Sequence, residues 1–241
     1  MRLRHITKSI KTQNWWAIAI DFLIVVIGVF VGLQAQEWNR QRLDRIKEQT
    51  YLDRLASDFA RIDDQLRSSI GGYERSLEAI GFVSHTLAAQ TRREAASDVD
   101  ATAFKEALIN LTWNALPVGR SATFVELISS GELGLLRDEE LRSALIAYDQ
   151  QVQKNRDSWQ STQTGTLADT TPLYRTVDLH IDLAARPFAS IRNYDLEAMA
   201  RDRDFQVMLD ILAGTKANHH ALFQRQRELA EEVRDLVDMS R

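Results

Sequence analysis

The chain has 241 residues, of which 44% are hydrophobic and 27% are charged, a composition that indicates an ordered helical protein rather than a disordered one. The formal net charge of −4 is too small to indicate a nucleic-acid partner. Because the chain contains no cysteine, disulfides, thiolate metal sites and cysteine nucleophiles are excluded.

The N-terminal segment predicts a membrane anchor. Residues 1–14 carry basic side chains and no acid, and residues 15–33 are apolar except for Asp21. As a helix, the apolar run is about 28 Å long, close to the roughly 30 Å of a bilayer's hydrocarbon core. The run is longer than a normal signal-peptide core, and no A-x-A-like cleavage site ends it. We therefore interpret residues 15–36 as an uncleaved signal anchor.

The charges around this anchor predict its orientation. The short N-terminal tail is purely basic, which favours a cytoplasmic N-terminus in the bacterial inner membrane and a periplasmic C-terminal domain. The far flank, residues 37–48, is also basic but has three acids interleaved, so the opposite orientation stays open at this point. Trp15, Trp16 and Trp38 are assigned to the membrane interfaces, where tryptophan is enriched.

One face of the anchor combines small residues with an acid. Gly28 and Gly32 form a G-x-x-x-G pair, which lets two helix backbones approach closely. Asp21 lies seven residues before Gly28, two helical turns away on almost the same face as Val25 and the glycines. We predict that this face contacts a second copy or a heterologous membrane protein. The alternative is that Asp21 lies near the headgroups and that the glycines are ordinary membrane-helix residues.

The anchor is predicted to continue as a long amphipathic helix. No proline or glycine occurs between Leu33 and Ile70, and apolar residues recur mostly at steps of three and four. The pair Gly71-Gly72 predicts an interruption or kink. A coiled coil is one interpretation, but packing in a bundle is favoured because later helices supply partners. The apolar positions are Leu43, Ile46, Leu52, Leu55, Phe59, Ile62, Leu66, Ile70, Tyr73, Leu77 and Ile80.

Helix-start and helix-stop residues divide the middle of the chain. Asp100, Ser121 and Asp138 are N-cap candidates, each directly before a segment with helical periodicity. Pro117 ends the first of these helices, which we expect to cover residues from about 101 to 115. Gly131 ends the second, at the position that commonly takes the left-handed conformation.

The C-terminal part is predicted to hold a crossover and a last long helix. Residues 165–193 are interpreted as a partly ordered crossover, and residues from about 195 to 239 as a helix with a candidate break near Gly214. The sum is an all-α fold in which a transmembrane helix continues into an antiparallel helical bundle. The predicted domains are a basic tail (1–14), a signal anchor (15–36) and a soluble helical bundle (37–241).

Side chains that could carry chemistry do not form a recognisable site. His219 and His220 are adjacent, so on a helix they point about 100° apart and cannot form the i, i+4 pair of helical metal sites. The alternation Asp178-x-His180-x-Asp182 is a weak metal signal that requires strand geometry and further ligands. The sequence contains no G-x-S-x-G, Walker A or H-E-x-x-H motif. We therefore predict a non-enzymatic protein without cofactor or metal.

The anchor carries an acid (Asp21), the run LIVVIGV (23–29), Leu33-Gln34 and Trp38-Asn39. This combination resembles a bacterial family of uncharacterised single-span membrane proteins, a domain of unknown function. The stretch 124–149 is similar to the body of the same family, and so is the closing DRDF with its long helix, so the resemblance covers most of the chain. It implies a membrane-anchored helical domain with no established activity. The family's acid is expected to be glutamate, where this chain has aspartate.

The run IDFLIVVI around Asp21 is also similar to the span of proton-driven motor subunits of the ExbD and MotB type. That similarity implies a carboxylate acting as an intramembrane proton relay. Beyond the span, the sequence predicts no mixed α/β domain of the kind those proteins carry.

We predict a non-enzymatic interaction, scaffold or accessory subunit of the bacterial cell envelope, whose partners are the lipid bilayer and either a second copy or another membrane protein. Two alternatives stay open. One is a sensor-like bundle that binds a small ligand between its helices. The other is a proton-coupled single-span subunit that uses Asp21.

Overall fold

A computed structural model describes residues 15–92, 99–182, 184 and 189–241, and the predicted basic tail lies outside these residues. The chain divides into two units, residues 1–50 and 51–241. The all-α prediction is confirmed, with a small two-stranded sheet added. The elements are α1 (Trp15–Arg92), α2 (Ala101–Leu111), α3 (Ala122–Ser129), a 3₁₀ turn (Leu133–Leu135), α4 (Glu139–Asp169), α5 (Thr171–Thr176), β1 (Val177–Ile181), β2 (Ala189–Tyr194), α6 (Leu196–Arg201) and α7 (Arg203–Ser240).

The first unit contains the N-terminal half of α1. Among the described residues, α1 alone includes a stretch that is long and apolar enough to cross a membrane, and none of that stretch is buried within the protein. Leu43 and Ile46 are also exposed, so the apolar stripe predicted for α1 is not buried at these two positions. The buried face of α1 begins at Tyr51 and Leu52.

The predicted interruption at Gly71-Gly72 is wrong, because α1 continues through both glycines. Gly72 instead lies against the indole of Trp113, and a Cβ built on Gly72 would be 1.9 Å from the ring atom Cη2. The glycine thus allows a close approach of a large aromatic side chain to a helix that remains regular.

In the second unit, α1, α4 and α7 form the bundle. Later residues of α7 meet earlier residues of α1 and of α4, so α7 runs antiparallel to both helices. The contacts that fix these directions are Asp53–Arg241 and Tyr73–His219 for α1 with α7, and Asp138–Ser240 and Thr162–His219 for α4 with α7.

The bundle core contains two clusters of buried apolar side chains. Burial of each large apolar side chain contributes roughly 1.5–3 kcal/mol, so the two clusters dominate the stability of this unit. One cluster includes Leu55, Phe59, Leu66, Tyr73, Leu127, Leu145, Tyr148, Phe223 and Val233. The other includes Val83, Phe104, Leu108, Leu111, Met199, Phe205, Met208 and Leu212.

The predicted helix caps are confirmed. The carboxylate of Asp100 accepts from the backbone N–H groups of residues 102 and 103, the hydroxyl of Ser121 accepts from that of Phe124, and the carboxylate of Asp138 accepts from those of residues 140 and 141. Gly131 has a φ of 72°, the left-handed conformation expected after α3. The first of these helices ends at Leu111, earlier than predicted, with Thr112 as its C-cap.

The region 165–193 differs from its prediction. It continues α4 to Asp169 and then forms α5 and an antiparallel hairpin, in which β1 pairs with β2 from Val177↔Tyr194 to Ile181↔Ala189. Likewise, α7 is continuous through Gly214, so a break there was wrong. The helix boundary lies at Asp202, whose side chain caps the first turn of α7.

Candidate functional site

The face of the anchor predicted to contact a partner is open. Asp21, Gly28 and Gly32 are all exposed on α1, and they fall within about 40° of one another around the helix axis. A Cβ built on either glycine would meet nothing within 4 Å, apart from the helix's own backbone and the neighbouring residues. Another helix could therefore approach this surface closely.

Tryptophans lie at the two ends of the apolar stretch. Trp16 is 81% exposed and Trp38 is 70% exposed. Their positions on α1 are separated by about 33 Å along the axis, a length that suits a bilayer's hydrocarbon core with its interfaces. The side chain of Trp15, the third predicted interface residue, lies outside the described part of the structure.

A lysine is buried in the bundle core. Lys216 is only 1% exposed, and its ammonium donates to the backbone oxygen of Trp113 and, at 2.8 Å, to Oδ1 of Asn114. Burial lowers the pKa of Lys216 to about 8. The sequence held a signal for this residue, because Lys216 falls between Leu212 and His219 on the inner stripe of α7.

His219 lies one turn after this lysine and is also buried. Its two ring nitrogens lie 3.5 Å from the hydroxyl of Tyr73 on α1 and 3.3 Å from that of Thr162 on α4. Burial and the nearby charge of Lys216 both lower the pKa of His219. The histidine therefore connects three helices in its neutral form, which is a structural role.

The non-helical segment between α2 and α3, residues 113–119, is fixed by side chains from the core. Four of its backbone oxygens accept hydrogen bonds from donors on α4 and α7, so buried polar groups are satisfied by the backbone of this segment. The pairs are Lys216 with Trp113, Trp159 with Ala115 (3.1 Å), Gln226 with Val118 (3.4 Å) and Tyr148 with Gly119 (3.1 Å).

The lowered pKa of His219 predicts a loss of stability on acidification. Below the ordinary histidine value of 6.5, the unfolded state binds a proton that the folded state resists, so the free energy of unfolding falls as pH drops. We expect His219→Gln to reduce this fall when denaturant unfolding is compared at about pH 7.5 and about pH 5.5. The exposed His85 is the matched control, and a His85→Gln variant with the same reduced fall would contradict the prediction.

Two aspartates on α1 are buried with polar partners. Burial opposes the ionisation of Asp58, but hydrogen bonds from the backbone of Thr123 (3.0 Å) and the hydroxyl of Ser121 (2.8 Å) prevail and lower its pKa. Asp63 lies within 3.0 Å of nitrogens of three arginines, one on α1 and two on α7. These carboxylates attach α3 and α7 to α1, and sequence periodicity did not identify them as buried.

A groove lies between the first turns of α4 and the last turns of α7, with a volume of about 730 Å³. Its floor is apolar and its rims are acidic; we call it the acidic groove. The floor consists of Ala144, Ala147, Leu236 and Met239, and the rims of Glu139, Glu140, Glu228, Glu231, Glu232 and Asp235, with Ser143 at the edge.

A second groove of about 730 Å³ lies between α1 and the segment 113–119. Its polar lining includes Gln65, Ser68, Ser69 and Asn114, and Leu116 at its edge is 74% exposed. This volume is in the range of small-molecule sites. The groove is therefore the feature that fits the sensor-like alternative.

The weak metal signal on the hairpin does not develop into a site. Asp178 and His180 lie on β1, where Nε2 of His180 is 3.3 Å from the guanidinium of Arg192, and the carboxylate of Asp182 accepts from the backbone N–H of Ala184. Within the described ranges, no group of three histidine or acidic side chains could hold a metal ion.

No protein-family model, curated protein or solved structure matches this chain. The functional assignment therefore depends on the open face of the anchor and on the two grooves of the bundle.

Proposed function

We propose that this chain is a single-span protein of the bacterial inner membrane that acts through protein contacts rather than catalysis. The observation that carries the proposal is the apolar stretch of α1, which is long enough to cross a bilayer and has no buried residue. An unburied apolar surface of this length needs lipid or protein to cover it. Membership in the uncharacterised single-span family stays part of this proposal.

The partner-facing surface is assigned to Asp21, Gly28 and Gly32. An acid inside a bilayer is costly unless it faces protein or water, and small residues allow the backbones of two helices to pack closely. The open space around both glycines supports this assignment. A helix of a second copy or of another membrane protein could pack against the two glycines and cover Asp21.

The orientation is a separate part of the proposal, with the N-terminus cytoplasmic and the bundle periplasmic. Because the chain contains no cysteine, single cysteines introduced in the tail and in the bundle can be labelled without background. A membrane-impermeant thiol reagent applied to spheroplasts should label a cysteine at exposed Glu78 and spare one at Lys8. The reverse labelling pattern would contradict this orientation.

Replacing both Gly28 and Gly32 with leucine should weaken association through the span by about tenfold, because leucine side chains hold the backbones apart. The measurement is the mass of the tagged full-length complex after gentle extraction from native membranes, with each co-purifying chain identified. The matched control places leucines at Ala19 and Val26, on the opposite face of α1. An unchanged mass in the double glycine variant would argue against this face as the interface.

Asp21→Asn separates two roles of the carboxyl group. If Asp21 only forms a hydrogen bond at the interface, asparagine should preserve the complex. Loss of a proton-driven activity in an intact complex would instead favour the proton-coupled subunit.

A further inference from the structure

The acidic groove has six acids on its rims, and the stability of the two helices accounts for only some of them. Glu139 and Glu140 lie in the first turn of α4, where they complement the helix dipole. On α7, however, Glu228 and Glu232 are four residues apart, and so are Glu231 and Asp235, spacings at which like charges repel. The two helices therefore gather like charges along one groove.

Among the described residues, cations pair with only two of these six acids. Glu228 pairs with Arg225 at 2.7 Å, and Glu231 pairs with Arg227 at 2.6 Å. Across residues 15–92, 99–182 and 189–241, the structure gives no ion pair for the other four acids on the rims. A ligand with positive charge would meet unscreened carboxylates on both sides of the groove.

The apolar floor of the acidic groove favours a positively charged ligand that also has an apolar surface. Leu236 and Ala144 are buried, whereas Met239 is 74% exposed at one end of the groove and offers a flexible apolar side chain. Among the described residues, no group of three histidine or acidic side chains could hold a metal ion. Apolar floor and acidic rims together match a helix that has one apolar face bordered by lysine or arginine.

We propose that the acidic groove docks a basic amphipathic helix of a partner protein. The apolar face of that helix would cover Met239 and the floor, and its lysines or arginines would reach the rims on α4 and α7. The inference rests on the proposed function as an interaction protein but concerns only the bundle. It is therefore tested separately from the face of the anchor.

The test uses the full-length protein in detergent micelles, titrated calorimetrically with a synthetic helical peptide. The peptide has leucines on one face and lysines beside them, and a matched peptide replaces every lysine with glutamine. We expect the lysine peptide to bind at least tenfold more tightly than the glutamine peptide and to lose affinity with added salt. Equal affinity of the two peptides, or no binding of either, would overturn the proposal.

Three variants separate docking from general attraction to an acidic protein. The pair Glu232→Gln and Asp235→Asn should weaken binding about tenfold, whereas the control pair Glu78→Gln and Asp210→Asn removes the same charge elsewhere and should not. Met239→Asp adds negative charge but removes the exposed apolar contact, so it should also weaken binding. Stronger binding to Met239→Asp, or equal losses in the two pairs, would show non-specific attraction and overturn the proposal.

Discussion

Gly72→Ala should destabilise the bundle by about 2–3 kcal/mol, although alanine is the better helix former. The added methyl would lie 1.9, 2.3 and 2.5 Å from three atoms of the Trp113 ring, so the indole must leave its position. That ring also packs edge-on against Tyr73 at 5.4 Å, and the backbone oxygen of Trp113 accepts from Lys216. Displacement of the ring would therefore disturb a buried polar site as well as apolar packing.

Gly71→Ala is the matched control for this prediction. A Cβ on Gly71 would meet only the guanidinium of Arg75, at 3.6 Å, which is an ordinary contact. The same substitution one residue earlier should therefore stabilise the helix by about 0.5–1 kcal/mol. Denaturant unfolding of the full-length protein in detergent measures both. Similar changes in the two variants would contradict the assigned contact.

A double-mutant cycle tests the contact itself. Trp113→Leu removes the large ring and should be destabilising alone, by about 3 kcal/mol. In that background Gly72→Ala should lose most of its penalty, because the added methyl no longer meets the indole. An undiminished penalty would place its cause elsewhere in α1.

Much of the fold could be predicted because its determinants are local in the chain. Steps of three and four in the apolar pattern identified the buried face of α1 from Leu52 onward. Asp100, Ser121 and Asp138 marked helix starts because a cap acts within three residues of itself. The hairpin was missed because its strands are short and because β2 packs on α2, a contact between elements far apart in the chain.

Features that depend on distant residues were not predictable in the same way. Gly72 was interpreted as a kink because the sequence shows only two adjacent glycines. Its packing partner Trp113 lies outside α1, and only the folded structure brings the two together. The rims of the acidic groove lie on α4 and α7, and only the folded bundle brings them together. Lys216 occupies a core position on α7. In a sequence, however, a charged residue at such a position is usually interpreted as an interruption of the apolar stripe. The partner-facing role of Asp21, Gly28 and Gly32 stays a prediction.

Asp63→Ala should cost about 3 kcal/mol, because it breaks a buried ion pair that joins α1 to α7. The carboxylate is 4% exposed and lies 2.7 Å from Arg67, 3.0 Å from Arg227 and 2.9 Å from Arg234. Its removal leaves three guanidinium groups beside one another without their shared anion. These arginines are partly exposed and can regain water, so the cost should lie at the lower end for a broken buried ion pair.

The neighbouring Asp64 provides the control, because it is exposed and Asp64→Ala should change the free energy of unfolding by less than about 0.5 kcal/mol. Arg227→Ala should cost about 1 kcal/mol, since Asp63 keeps two of its three cations. A loss in Asp63→Ala no larger than in Asp64→Ala would mean that water replaces the carboxylate at little cost. The predicted order of losses follows from geometry. The buried carboxylate of Asp63 binds arginines on both α1 and α7, whereas each arginine makes only one of the three contacts to Asp63.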